Sequence, residues 1–183
     1  MKRLAIILAS LALVGAGCFG GQEEETLEKN LVFEFDGTTY TSDTYGFSID
    51  YPTNMEMKVR PPENQDTSYL GLPMKFFVSL RDTVREADPL SIAYFYAAEN
   101  LTLEAFEAAL VASDPPNISV SAKETYTQGG LTITKVTSTT AMGENKLHYL
   151  FPSGTSMIIV SQIMLEDEAF DPIIQTLRQA ETK

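Results

Sequence analysis

The sequence predicts an α+β domain built on a mostly antiparallel β-sheet packed by helices. After Thr39, apolar and polar residues alternate in several runs, only two stretches space their apolar residues as helices do, and short Gly-containing links join neighbouring runs. Strands, a helix, hairpin-linked strands and a last helix give that class, because a sheet face and a helix stripe must bury each other. The 183 residues favour one domain, and 44% hydrophobic with 21% charged residues is ordinary for a globular chain. Long disordered and collagen-like chains are thereby excluded. A body of about 145 residues buries about two thirds of its extended-chain surface, so it needs no disulfide.

The chain opens on an address. Met1-Lys2-Arg3 supplies a positive start and Leu4 to Gly17 is an uncharged run ending in small residues, so residues 1–17 follow the three-part pattern of a secretory signal. The run falls short of the ~20 apolar residues that a bilayer core requires. Gly15-Ala16-Gly17-Cys18 resembles a bacterial lipobox, with Gly15 where Leu or a similar residue usually stands. Cys18 is accordingly the expected lipidation site; a plain signal peptide with an incidental cysteine and a short uncleaved anchor are the competing readings. As the sole cysteine it has no intrachain partner in an oxidising compartment. Two or three acyl chains, palmitate among them, anchor far more firmly than one, at about 0.8 kcal/mol per buried CH₂.

Residues 18–38 read as the lipidated Cys and an acidic tether. Gly20, Gly21, Glu23, Glu24, Glu25 and then Asp36-Gly37 offer little periodic burial, with Leu31, Val32, Phe33 and Phe35 as a short strand or docking patch. The domain is expected over 39–183. Within it Phe47, Ile49 and Tyr51 alternate with Ser48 and Asp50, and the strand stops at Pro52, which cannot donate to a ladder. Arg60 to Asp66, with Pro61 and Pro62, reads as a surface loop. Met74, Phe76, Val78 and Leu80 alternate with Lys75, Ser79 and Arg81, and pair as a hairpin with Leu90 to Ala97 across Asp82 to Pro89.

Thr102 caps a helix whose Leu103, Phe106 and Leu110 share one face, with Glu104 and Glu107 near its positive end and Pro115-Pro116 stopping it. Two further hairpins follow: Ile118 to Thr127 with Leu131 to Thr139 across Gln128-Gly129-Gly130, and Lys146 to Phe151 with Thr155 to Ile163 across Ser153-Gly154. Met157 to Val160 is apolar on both alternations, as a strand covered on both faces is, and is expected at the centre of the sheet. Asp171-Pro172 opens the last helix, which buries Phe170, Ile173, Ile174 and Leu177, runs to about Ala180 and sets Arg178 near its negative end.

These runs carry a family resemblance. Thr39-Tyr40-Thr41 and then Tyr45-Gly46-Phe47-Ser48-Ile49-Asp50-Tyr51-Pro52 resemble the opening of the PsbP-like family, which includes many bacterial lipoproteins. Leu101 to Phe106, Gly129-Gly130, Gly154 to Val160 and the terminal helix follow in the same order. The resemblance implies an α/β/α sandwich, lipid anchoring and a role as an accessory or assembly protein. It implies no catalytic residue.

Thirteen Lys and Arg stand against 25 Asp and Glu, a formal charge of -12, and beyond Lys2-Arg3 the bases are scattered singly along the sequence. Nucleic acid, which binds through Lys and Arg, is therefore not an expected partner, and electrostatic adhesion to an anionic bilayer is disfavoured. No G-x-S-x-G elbow, P-loop, G-x-G-x-x-G after a strand or H-E-x-x-H occurs. His148 lies within an apparent strand, facing outward or hydrogen-bonded, with Ser153 or Ser156 as its partners if it acted as a base. Glu166, Asp167, Glu168 and Asp171 gather carboxylates of the kind calcium or magnesium takes, without the EF-hand spacing; acids favoured at a helix N-terminus account for them. No catalytic residue, cofactor or metal is expected.

Tyr94, Phe95 and Tyr96, with Tyr45, Phe47, Phe76 and Phe77, read as core and cross-strand packing, or else as a pocket or interaction face. Asn100-Leu101-Thr102 and Asn117-Ile118-Ser119 match a glycosylation pattern and are read as the starts of a helix and a strand. The expected function is a lipid-anchored, extracytoplasmic, non-enzymatic binding or accessory module for an envelope protein or complex. A small-ligand-binding lipoprotein with a pocket between sheet and helix is the alternative, and a hydrolase using His148 or paired carboxylates comes third.

Overall fold

The computed structural model describes residues 38–83, 91–113, 118–140, 142–163 and 167–181. Residues 31–183 group as one unit by their backbone contacts, and every described residue belongs to it. The signal, Cys18 and, apart from Thr38, the tether lie outside the described residues.

The elements in order are β1 (Thr39–Ser42), β2 (Phe47–Asp50), β3 (Met55–Val59), a 3-10 turn at Pro62–Asn64, β4 (Asp66–Tyr69), β5 (Leu72–Asp82), β6 (Ser91–Glu99), α1 (Leu103–Ala112), β7 (Ser119–Gln128), β8 (Leu131–Thr139), β9 (Asn145–Ser153), β10 (Ser156–Gln162), α2 (Asp167–Ile174) and β11 (Arg178–Gln179). Every strand pairing is antiparallel. The large sheet runs β3-β5-β6-β10-β9-β8-β7, with β4 pairing the first part of β5, and β1-β2-β11 form a small sheet. Two helices, of ten and eight residues, accompany eleven described strands, so the fold is richer in strand than a balanced α+β sandwich.

Strand β10 takes the middle of the large sheet, and its residues show why. Ile158 and Val160 enter one core and Ile159 the other, with Met157 packed beside it, so both faces are covered. The first core collects Phe47 and Ile49 of β2, Phe95 of β6, Phe151 of β9 and Phe170, Ile173 and Ile174 of α2. Phe47 is fully buried there, edge-on to Phe151 at 5.4 Å and stacked with Phe95 at 6.0 Å. Each such ring contributes about 1.5–3 kcal/mol by leaving water. The second core lies on the opposite face, where Phe106 and Leu110 of α1 meet Val136, Leu150 and Ile159. Helix α1, the large sheet, and then α2 with the small sheet make three layers.

Helix α1 starts as its sequence dictates: the Thr102 hydroxyl accepts from the Ala105 amide at 3.2 Å. Helix α2 differs from expectation. It begins at Asp167 and ends at Ile174, and Pro172 lies inside it rather than at its first turn. Proline removes a ladder bond from a helix of only eight residues. The chain then turns, with the Leu177 amide donating to the Ile174 carbonyl at 2.9 Å, and Arg178 joins strand β11 beside β2 rather than closing the helix. Strands β1, β3, β4 and β11 are additions to the elements read from the sequence.

Candidate functional site

The aromatic runs separate by strand alternation. Phe47, Phe77 and Phe95 enter the first core with Tyr45 packed against it, while Phe76, Tyr94 and Tyr96 point to the α1 side. A bulge between Phe76 and Val78 sets Phe77 and Val78 both into the first core and turns Phe76 to the opposite face. There Tyr96 stacks on Tyr69 at 4.5 Å, and Phe76 meets Tyr94 edge-on at 4.6 Å.

Helix α1 covers only part of this face. Phe106 sits 5.4 Å from the His148 ring of β9, and Glu107 pairs with Lys123 of β7 at 2.8 Å, so the helix lies over the β9-to-β7 half. Over β3, β5 and β6 a groove of about 650 Å³ stays open. Its rows follow the register: Lys58 opposite Ser79 opposite Tyr94, and beside them Glu56 opposite Arg81 opposite Ser91. Arg60 continues the Lys58 face and lays its guanidinium over the Phe76 ring at 4.1 Å. Its backbone is fixed on both sides, the amide donating to Phe77 O at 2.8 Å and the carbonyl accepting from the Gln65 side-chain amide at 2.9 Å.

The scattering of bases along the sequence does not survive folding. Eight Lys and Arg fall among the described residues, and Lys58, Arg60 and Arg81 line this one groove together with the acids Glu63 and Asp66. Arg81 pairs with Glu56 at 3.5 Å; Lys58 and Arg60 enter no ion pair among the described residues. The legible signal was the Lys58-x-Arg60 spacing, which puts two bases on one face of a strand. Arg81 joins them only through the β3–β5 register.

A second concavity, of about 970 Å³, opens at the end of the sheet between the β1–β2 and β9–β10 turns. Asp43, Asp66 and Glu99 line it with Lys75 as its one base, so acids outnumber bases there, whereas three bases stand against Glu63 and Asp66 in the groove. Asp66 lines both. Ser153 donates to the Tyr45 carbonyl at 2.8 Å and ties the two turns together. Burial, and then the charge of Glu99, raise the Tyr45 phenol above its usual pKa.

His148 lies far from the serines that the sequence offered it. Its Nδ1 meets Ser161 Oγ at 3.1 Å and its Nε2 meets Ser138 Oγ at 3.3 Å; Ser153 and Ser156 flank the β9–β10 turn instead. Ser138 donates onward to the Lys146 carbonyl at 3.5 Å, which assigns the proton to Nε2 and makes Nδ1 the acceptor of the Ser161 hydroxyl. The three side chains are at most 1% exposed. Desolvation, with the nearby charge of Lys146, pushes the imidazole down to a pKa of about 4, so it is neutral at pH 7.

Of the four acids weighed as cation ligands, Glu166 and the side chains of Asp167 and Glu168 lie outside the described residues. Asp171 is engaged within the protein: Lys135 approaches both its oxygens, at 3.2 and 3.4 Å, and the Tyr149 hydroxyl donates to Oδ1 at 2.5 Å. Among the described residues no group of three His, Cys, Asp or Glu is placed to hold a metal ion. Asn100 takes a positive φ of 55° between β6 and α1, a conformation that Asn tolerates better than most residues, and Asn117 lies outside the described residues.

No family model matches the sequence, and no curated protein does. The fold has a solved counterpart. The solution structure of cyanobacterial PsbP from Synechocystis sp. PCC 6803 is similar to this chain with a TM-score of 0.52 at 12% identity, over 78% of this chain and 91% of that one. The fold is PsbP-like.

Proposed function

We propose that the protein is a lipid-anchored, extracytoplasmic accessory module that docks on an envelope protein through the part of its sheet that α1 leaves uncovered. The observation that carries the reading is the open groove over β3, β5 and β6, with Phe76 and Tyr94 along it and Arg60 held over the Phe76 ring. The half-buried Tyr94 ring and an ordered guanidinium beside open solvent are the residue types that interfaces concentrate. The PsbP-like fold and the signal-like start ending at Cys18 support the same reading. Attachment would be through acyl chains on Cys18, the residue that ends the signal-like start.

Native mass spectrometry of the full chain, gently extracted from its own membrane, tests both parts. The expected result is a diacylglycerol-sized addition on Cys18, absent from Cys18→Ala, and a bound polypeptide. A small bound mass with no protein partner would favour a ligand-binding lipoprotein. An unmodified Cys18 would overturn the anchoring.

A further inference from the structure

On its β3 side the groove presents Lys58 and Arg60, which enter no ion pair among the described residues, while Glu63 and Asp66 line it further along, and the two bases narrow its occupant. Resting on the docking role proposed above, we propose that it takes an extended, carboxylate-rich segment of the partner polypeptide. Lys58 and Arg60 share one face of an extended chain, roughly 6.6 Å apart along it at about 3.3 Å per residue. An extended segment with acids at alternate positions repeats at the same interval, so successive carboxylates meet Lys58 and Arg60 in turn. Arg81, one strand further in, is paired with Glu56, so the charge offered to the segment is that of Lys58 and Arg60.

Several features make this more than a solvated edge. The Arg60 guanidinium lies over the Phe76 ring, an arrangement that keeps its planar fork available for a carboxylate. Ser91 supplies a hydroxyl beside the bases and the half-buried Tyr94 offers apolar surface to the stems of Glu side chains, over the buried Phe76 and Ser79. The neighbouring cleft is predominantly acidic and would repel an acidic segment, and Glu63 and Asp66, which line the groove, restrict that segment to the part beside Lys58 and Arg60. The bland alternative is that Lys58 and Arg60 only discourage strand pairing at β3, the edge of the large sheet.

The test uses the full-length protein in detergent and a short fluorescein-labelled peptide alternating Glu and Ser. Fluorescence anisotropy should show saturable binding that weakens as salt rises, as exposed charge pairs do. Lys58→Glu with Arg60→Glu should weaken it about tenfold or more. Lys146→Glu together with Lys123→Glu makes the same change in net charge outside the groove and should leave binding within about twofold, since long-range charge effects are screened. Circular dichroism checks that both variants fold. Three results would overturn the proposal: no binding by the wild type, equal loss in the two double variants, or binding to phosphatidylglycerol vesicles in place of the peptide. Native mass spectrometry of the groove variant separates this failure from failure of the docking role. A partner retained by that variant refutes the acidic groove alone, whereas a wild type without any partner refutes docking.

Discussion

His148 sets how stability depends on pH. Its imidazole is buried, accepts from Ser161 and donates to Ser138, and is held neutral with a pKa of about 4. The unfolded chain binds a proton near pH 6.5, where the folded one does not. Stability is therefore complete above about 6.5, falls by about 1.4 kcal/mol per pH unit down to about 4, and is about 3 kcal/mol lower there on this account. Urea unfolding across that range should show the fall in the wild type and a shallower slope in His148→Gln. Since this is the sole histidine, its ring protons give an unambiguous NMR titration. An imidazole titrating near 6.5 in the folded protein would refute the buried geometry. The carboxyl of Asp50 belongs to a lower range, because hydrogen bonds from Arg178 at 2.9 and 3.0 Å hold it below the usual carboxylate value.

Among the elements, the β7–β8 hairpin shows what a glycine pair is for. The Gly129 carbonyl accepts from the Gln179 amide at 2.7 Å, and Gln128 donates its side-chain amide to the carbonyls of Ile174 and Leu177, closing the end of α2. A Cβ on Gly129 would lie 2.5 Å from that of Arg178 and 2.8 Å from the Leu177 carbonyl, at a φ of +53°. Gly154, at φ +58°, has nothing within 4 Å of such an atom. Gly154→Ala should therefore cost only the left-handed backbone penalty, about 1–2 kcal/mol, and Gly129→Ala clearly more, with the excess read from thermal or urea unfolding. Equal losses would mean that the hairpin does not seat on the C-terminal segment. Both turns were legible from Gly spacing, as were β2, the β5–β6 hairpin, α1 and the central place of β10. Strand β3 went unread although Met55, Met57 and Val59 alternate, because Met, Glu and Lys carry little strand preference of their own and the edge leaves half of them wet. The polar Asp66-Thr67-Ser68-Tyr69 of β4 has no apolar alternation to read, and pairing with β5 decides its conformation.

For the whole molecule, the consequence of folding is an uneven surface on a chain of formal charge -12. The excess of acid was legible in the sequence, whereas the Lys58-x-Arg60 spacing was passed over as singly scattered bases, and the groove exists only once β5 brings Arg81 alongside and α1 settles over the other half of the sheet. His148 was legible as a strand histidine, and its partners were not, because Ser138 and Ser161 come from the strands on either side. The account's central claim is that this groove is the docking face. Site-specific photo-crosslinking in the native membrane tests it most directly, with the reactive side chain at Asn64, exposed and lining the groove, or at Val111 on α1, 52% exposed and away from it. The account predicts one partner polypeptide joined at Asn64 and not at Val111, with the linked peptide rich in Asp and Glu when sequenced by mass spectrometry. Equal crosslinking from the two positions, a linked peptide without acidic residues, or lipid alone at Asn64 would contradict it.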